Sequence, residues 1–304
     1  MYKTLMVPLD GSDFAEQALP MARHLAARTG ARIHLVHVIR PFPDSDLKAP
    51  DVDMEWIAEA RKGTEGYLED WAARIREEDG IEVAVAALEG RVVPALRGYA
   101  AKEKVDLVVL TTHGAGGVQR WWLGSVADGL VRTVQRHLLL VRPWDDTEDR
   151  APAEPRFQKV VVPLDGSDFA ERALEPASAL AREFGAELAL LRVVPAPVEL
   201  TSIYGMAGVR MEGEGHRRRV QEAQDYLDRV LERFGDLEVS AALGEEGEAA
   251  DGVVRGAREM QADVMVLSTR GRGGVARAVL GSVADKVIRS TALPVLVVPV
   301  TEEE

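Results

Sequence analysis

The ten residues VPLDGSDFAE occur at Val7–Glu16 and recur, letter for letter, at Val162–Glu171. Apolar strands tolerate wide substitution while volume and pattern are kept. Identity across a whole strand-to-helix junction therefore marks a chain built twice from one unit. The repetition continues. TTHGAGGVQRWWLGSVAD at Thr111–Asp128 matches STRGRGGVARAVLGSVAD at Ser268–Asp285, and each half closes on an apolar strand, HLLLVRP at His137–Pro143 and LPVLVVP at Leu293–Pro299. The repeat is a full domain long, which excludes a short-period solenoid. The 304 residues accommodate two domains of ordinary size. Between the copies, WDDTEDRAPAEPR at Trp144–Arg156 is acidic, proline-rich and almost without residues to bury. It reads as a linker between domains at 1–143 and 157–304.

Each half alternates strand and helix. In the first copy, Thr4–Leu9 reads as a strand. Asp13–Thr29 reads as one helix, with Phe14, Ala18, Met21, Ala22 and Leu25 on a single face. Asp13 and Glu16 suggest a capping box at its start and Gly30 a left-handed cap at its end. Strands follow at Ile33–Ile39, Ile81–Leu88, Val105–Thr111 and His137–Val141. Helices are expected over Val52–Glu77, Val93–Lys102 and Ser125–Gln135. Such alternation implies a five-stranded parallel α/β sheet covered by helices on both faces, two Rossmann-like domains in tandem. Open sheets of this kind bind ligands beyond the carboxyl ends of their strands. The stretches shared between the copies, Asp10–Ser12 and Thr112–Ser125, fall at that edge.

The net charge of −13 opposes nucleic acid as a partner, which needs a basic footprint. Arg217, Arg218 and Arg219 stand beside Glu212, Glu214 and Glu222 and read as a solvated helix start. No run is long and apolar enough to span a bilayer. The chain has no cysteine and no signal-peptide pattern, so a cytoplasmic location is expected. His24, His34, His37, His137 and His216 show no zinc-ligand spacing.

The loop after strand four reads His113-Gly114-Ala115-Gly116-Gly117 and then Gly124-Ser125, opening a helix; its counterpart is Arg270-Gly271-Arg272-Gly273-Gly274, then Gly281-Ser282. Glycines admit close approach of a ligand to the backbone, and a helix start offers free N–H groups and a positive dipole end, which together suit phosphate. Ser125 with Asp128, and Ser282 with Asp285, equally fit an S-x-x-D capping box of a tight strand-to-helix turn. On residue types alone both readings stand. The spacing is neither that of a Walker A loop nor G-x-G-x-x-G.

The pattern G-x9-G-S, at Gly114/Gly124-Ser125 and Gly271/Gly281-Ser282, resembles the ATP-binding signature G-x2-G-x9-G-[ST] of the universal stress protein family. The opening strand ends in Pro-x-Asp-x-Ser, matched by Pro8-Leu9-Asp10-Gly11-Ser12 and Pro163-Leu164-Asp165-Gly166-Ser167. The similarity covers both halves, so the chain resembles a tandem member. The resemblance implies strand order 3-2-1-4-5 and ATP, with or without Mg²⁺, as ligand. It places Asp10 and Asp165 at the adenosine end and the backbone of Val38 and Val193 against adenine. Thr111, His113, Gly114, Gly117, Gly124, Ser125 and Val126 fall around the phosphates, as do Ser268, Arg270, Gly271, Gly274, Arg277, Gly281, Ser282 and Val283. The sequence departs from the signature at its first glycine, which is Thr111 in one copy and Ser268 in the other. The arginines beside the second loop favour tighter binding by the second domain.

His113 is matched by Arg270, which cannot act as a base, so chemistry common to both copies excludes it. Asp106 and Asp263 read as turn residues at the opposite edge of the sheet. Trp121 and Trp122, matched by Ala278 and Val279, suit a core or interface, or a lid. The expected function is a nucleotide-dependent stress-response or regulatory protein that acts on an unidentified protein partner. A slow ATPase or nucleotidyl-transfer enzyme and a scaffold that binds no nucleotide are the alternatives. Family members pair through their last strands, which implies an internal pseudo-dimer of His137–Val141 with Leu293–Val298, with or without homodimerisation.

Overall fold

In each half of the chain five strands run parallel and alternate with helices. The computed structural model describes residues 1–40, 54–112, 123–144, 154–195, 214–246, 248–269 and 280–300. They form two compact units, Met1–Arg156 and Phe157–Glu304, called domains one and two below.

Domain one contains β1 (Thr4–Pro8), α1 (Asp13–Glu16), α2 (Leu19–Thr29), β2 (Arg32–Ile39), α3 (Met54–Asp79), β3 (Val83–Glu89), α4 (Val92–Lys102), β4 (Leu107–Thr111), α5 (Ser125–Thr133) and β5 (His137–Val141). Domain two repeats the order with β6 (Lys159–Pro163), α6 (Asp168–Glu171), α7 (Leu174–Phe184), β7 (Glu187–Pro195), α8 (Glu214–Leu231), β8 (Val239–Glu246), α9 (Ala249–Glu259), β9 (Val264–Ser268), α10 (Ser282–Ser290) and β10 (Val295–Val298). The strand order is β3-β2-β1-β4-β5 in the first domain and β8-β7-β6-β9-β10 in the second. Their ladders are parallel throughout. Because helices cover both faces, the central strands are apolar without alternation. Leu5, Met6, Val7, Leu107, Val108 and Val109 are fully buried.

The helix expected over Asp13–Thr29 is broken. Pro20 and Pro176 stand in the first turn of α2 and α7 and give no N–H to a ladder continuing from α1 or α6. Most of the expected buried face survives the break, since Ala18, Met21, Ala22 and Leu25 are buried and Phe14 is half-buried, and Gly30 closes α2 at φ +68°. The suggested capping box is not formed. Ser12 is the N-cap, its Oγ accepting from the Ala15 N–H at 3.2 Å. Glu16 accepts instead from Tyr67 Oη at 2.8 Å and Trp71 Nε1 at 3.1 Å, tying α1 to α3.

Asp106 and Asp263 act on the backbone. Asp106 Oδ2 accepts from the N–H groups of Lys3 and Thr4 at 2.8 and 3.0 Å. Asp263 Oδ2 accepts from Gln158 and Lys159, both at 2.9 Å. Each carboxylate satisfies the start of the central strand beside its own. Trp144, the first residue of the expected linker, is held on domain one: its N–H donates to Gln17 Oε1 at 2.6 Å and its C=O accepts from Gln17 Nε2 at 2.9 Å.

Candidate functional site

The carboxyl edge of the central strands is built alike in both domains. The last rung between β1 and β2 is Leu9 N–H to Val36 C=O, 2.8 Å; in domain two it is Leu164 to Leu191, also 2.8 Å. The chain then turns through Gly11 and Gly166 at φ +82° and +81°, where a side chain would be strained. That torsion accounts for the invariance of D-G-S between the copies. It swings the serine back onto the aspartate. Asp10 Oδ1 accepts from Ser12 N–H at 3.1 Å and from Ser12 Oγ at 2.5 Å; Asp165 Oδ1 accepts from Ser167 at 2.9 and 2.6 Å. The serine also caps the following helix, so one side chain fixes both the carboxylate and the helix start.

Val38 lies in β2 in register with Leu88, and Val193 in β7 in register with Gly244. Residues of a strand direct their main-chain groups alternately to the two neighbouring strands. Val36 faces β1. Val38, two residues on, turns its N–H and C=O toward the side that β1 has already left. Val193 stands in the same relation to β6.

Thr111 and Ser268 end β4 and β9, where the signature has glycine. Both are buried, with 7% and 6% of their surface exposed. The next residues close the neck of the loop. Gly124 N–H donates to Thr112 C=O at 2.7 Å, and Gly281 N–H to Thr269 C=O at 2.7 Å. A single hydrogen bond thereby sets α5 and α10 beside the ends of β4 and β9. His113, Gly114, Gly117, Trp121, Trp122, Arg270, Gly271, Gly274 and Arg277 lie outside the described residues, as do residues 41–53 and 196–213 after the second strands.

The capping box, one of the two readings at the start of α5 and α10, is absent, because the N-caps are Gly124 and Gly281 and the serines occupy the first helical position. Asp128 and Asp285 turn to Arg132 and Arg289 one turn on, at 2.8–3.0 Å. Among the described residues, therefore, no side chain caps either helix. Ladder bonding begins at Asp128 N–H to Gly124 C=O, 2.8 Å, and at Asp285 N–H to Gly281 C=O, 2.9 Å. The N–H groups of Ser125, Val126 and Ala127, and of Ser282, Val283 and Ala284, precede it. Both serines are exposed, and so is Val283. Gly124 and Gly281 have φ of −56° and −61°, so neither uses glycine's access to positive φ.

The chemistry of the edge is thus divided. A fixed carboxylate acceptor ends β1, and a cluster of uncapped donors with a positive dipole end follows β4. The two strands are adjacent in the sheet, about 4.8 Å apart. A ligand with hydroxyl or amino groups at one end and an anion at the other matches that division.

Further residues at this edge escaped the sequence reading. His37 is half-buried on β2, its ring bonded to the Leu9 carbonyl; burial lowers its pKa, against the pull of Asp10. Arg192 holds the same register position in domain two and lies 4.6 Å over the Tyr226 ring. Tyr226 Oη donates to Glu171 Oε1 at 3.0 Å, the partner of the Glu16 arrangement. Burial chiefly, and the neighbouring glutamate, push the hydroxyls of Tyr67 and Tyr226 upward in pKa. Superposing the two halves of the sequence at their first strands would have exposed the His37/Arg192 difference.

The family profile described as "Universal stress protein family" matches residues 1–142 and again 156–299. A universal stress protein of Mycolicibacterium smegmatis is 26% identical over 298 residues, covering 97% of this chain and 96% of its own. Universal stress protein MJ0531 of Methanocaldococcus jannaschii is 32% identical over 142 residues, 47% of this chain and 83% of its own. Among solved structures, a universal stress protein from Archaeoglobus fulgidus shares the fold over 99% of this chain and 97% of its own, with a TM-score of 0.68 at 22% identity.

Proposed function

Because the chain belongs to the universal stress protein family, we propose that each of its two domains binds an adenine nucleotide, ATP with or without Mg²⁺, and that occupancy alters a surface offered to a protein partner. The observation that supports this most is the divided edge chemistry, present in both domains: a serine-fixed aspartate beside an uncapped helix start. Asp10 and Asp165, with Pro8, Gly11, Ser12, Pro163, Gly166 and Ser167, take the ribose end. The main chains of Val38 and Val193 take the base. The starts of α5 and α10, through Gly124, Ser125, Val126, Gly281, Ser282 and Val283, take phosphate with the glycine loops that precede them. The arginines of the second loop make domain two the tighter site.

Mass spectrometry of small molecules carried through purification, followed by calorimetric titration with ATP, tests the reading. Two sites per chain are expected, falling to one in Gly281→Val. A flat titration in protein shown to be folded would overturn it.

A further inference from the structure

His34 lies in the middle of β2 and is 4% exposed. Its Nδ1 meets Tyr99 Oη on α4 at 2.9 Å, and the two rings are edge-to-face with centroids 5.8 Å apart. Its Nε2 is buried and has no hydrogen-bond partner among the described residues. An imidazole with one satisfied nitrogen is tolerable when neutral. As imidazolium it has two N–H donors, one of them without an acceptor, in an interior that penalises charge.

Domain two has nothing of this kind at the same place. Met6 is in register with His34 and Val161 with Ala189, so Ala189 takes the position of His34. Tyr99 C=O accepts from Glu103 N–H at 2.9 Å, and Gly256 C=O from Met260 N–H at 2.9 Å, so Gly256 takes the position of Tyr99. There the space is filled by Leu191, whose methyls lie 2.8 and 2.9 Å from where a β-carbon on Gly256 would be.

We propose that His34 makes domain one acid-labile: its protonation within the β2–α4 packing loosens β2, and with it the site that β2 carries, while β7 and α9 of domain two, which contain no histidine, are unaffected. The second clause rests on the nucleotide reading above; the first does not. The link is geometric, since His34, Val36 and Val38 share one face of β2. The groups facing the imidazole are few. Arg32 on β2 opposes protonation. Glu103 beyond α4 and Glu82 before β3 favour it, but burial outweighs both, and the net effect is a lowered pKa. The sign follows from linkage. Above the unfolded value of about 6.5 both states are neutral and the full stability is present. As pH falls below it the unfolded chain takes up a proton that the folded domain resists, and stability is lost.

Hydrogen–deuterium exchange of the nucleotide-free full chain, corrected for intrinsic rates, tests this between pH 7.5 and 5.5. Peptides of β2 and α4 should lose protection by about tenfold, the most that one histidine with an unfolded value near 6.5 contributes by pH 5.5. Those of β7 and α9 should hold theirs. In His34→Gln, which cannot ionise, the loss should shrink to the part that His24 and His37 contribute. Tyr99→Phe keeps the imidazole and removes its one partner, so the loss should persist. Equal losses in both domains, or a response in His34→Gln matching the wild type, would overturn the proposal. ATP titration at pH 7.5 addresses the nucleotide reading separately: two sites at pH 7.5 and one at pH 5.5 support the coupling. Two sites at both values would break it.

Discussion

The two domains agree at the carboxyl edge of the sheet and disagree one layer behind it. At the edge, D-G-S turns match to within a few tenths of an ångström in their hydrogen bonds, and both last helices start at an uncapped glycine. Behind it, the gap between the second strand and the fourth main helix is closed by a hydrogen-bonded His34–Tyr99 pair in one copy. In the other it is closed by Leu191 against Gly256. Constraint therefore lies on the geometry of the edge, and the interior has only to fill its volume. The polar solution needs a satisfied donor and acceptor, whereas the apolar one needs only shape. The first is consequently sensitive to protonation. His24 and His37, also in domain one, have pKa values lowered chiefly by burial, which adds in the same direction.

The comparison can be broken most forcefully at Leu191, which is 1% exposed. Leu191→Ala should cost domain two about 2–5 kcal/mol in urea unfolding. Gly256→Ala overpacks the same contact and should also destabilise, but less in a Leu191→Val background; additive effects would mean that the two do not touch. Next in size is Tyr99→Phe, which leaves His34 without its partner. It should cost domain one about 1–2 kcal/mol at pH 7.5 and leave domain two unchanged. Ser12→Ala and Ser167→Ala probe the shared edge, and each should cost its own domain about 1 kcal/mol through loss of the N-cap. A clear inequality between them would show that the two turns are not equivalent. The smallest effect is a gain. Gly98 is exposed on α4 with open space around it, so Gly98→Ala should raise domain-one stability by about 0.5–1 kcal/mol, seen as a small increase in Tm.

Much of this was legible in the residues, and the failures are instructive. The strand–helix alternation, the left-handed Gly30 and the apolar face of α2 follow from local pattern. The capping box suggested at Asp13 and Glu16, and the one left open at Ser125 and Ser282, fail for a common reason. S-x-x-D and D-x-x-E are short strings that other partners outbid: Asp128 and Asp285 found arginines one turn on, and Glu16 found Tyr67 and Trp71 across a helix contact. Pro20 signals the break before α2, but the buried face that continues through it gives the pattern of one helix. At the candidate site, Asp10 and Asp165 were singled out from the motif, but their immobilisation by Ser12 and Ser167 appears only once the positive φ of Gly11 and Gly166 is known.

By itself the sequence determined that the chain is one α/β unit made twice, because hydrophobic period and glycine placement act within a few residues along the chain. Only the tertiary structure decided what stands behind each site. The partners of His34, Leu191 and Glu16 lie tens of residues away, and the choice among them depends on which side chains meet when strand and helix are packed together.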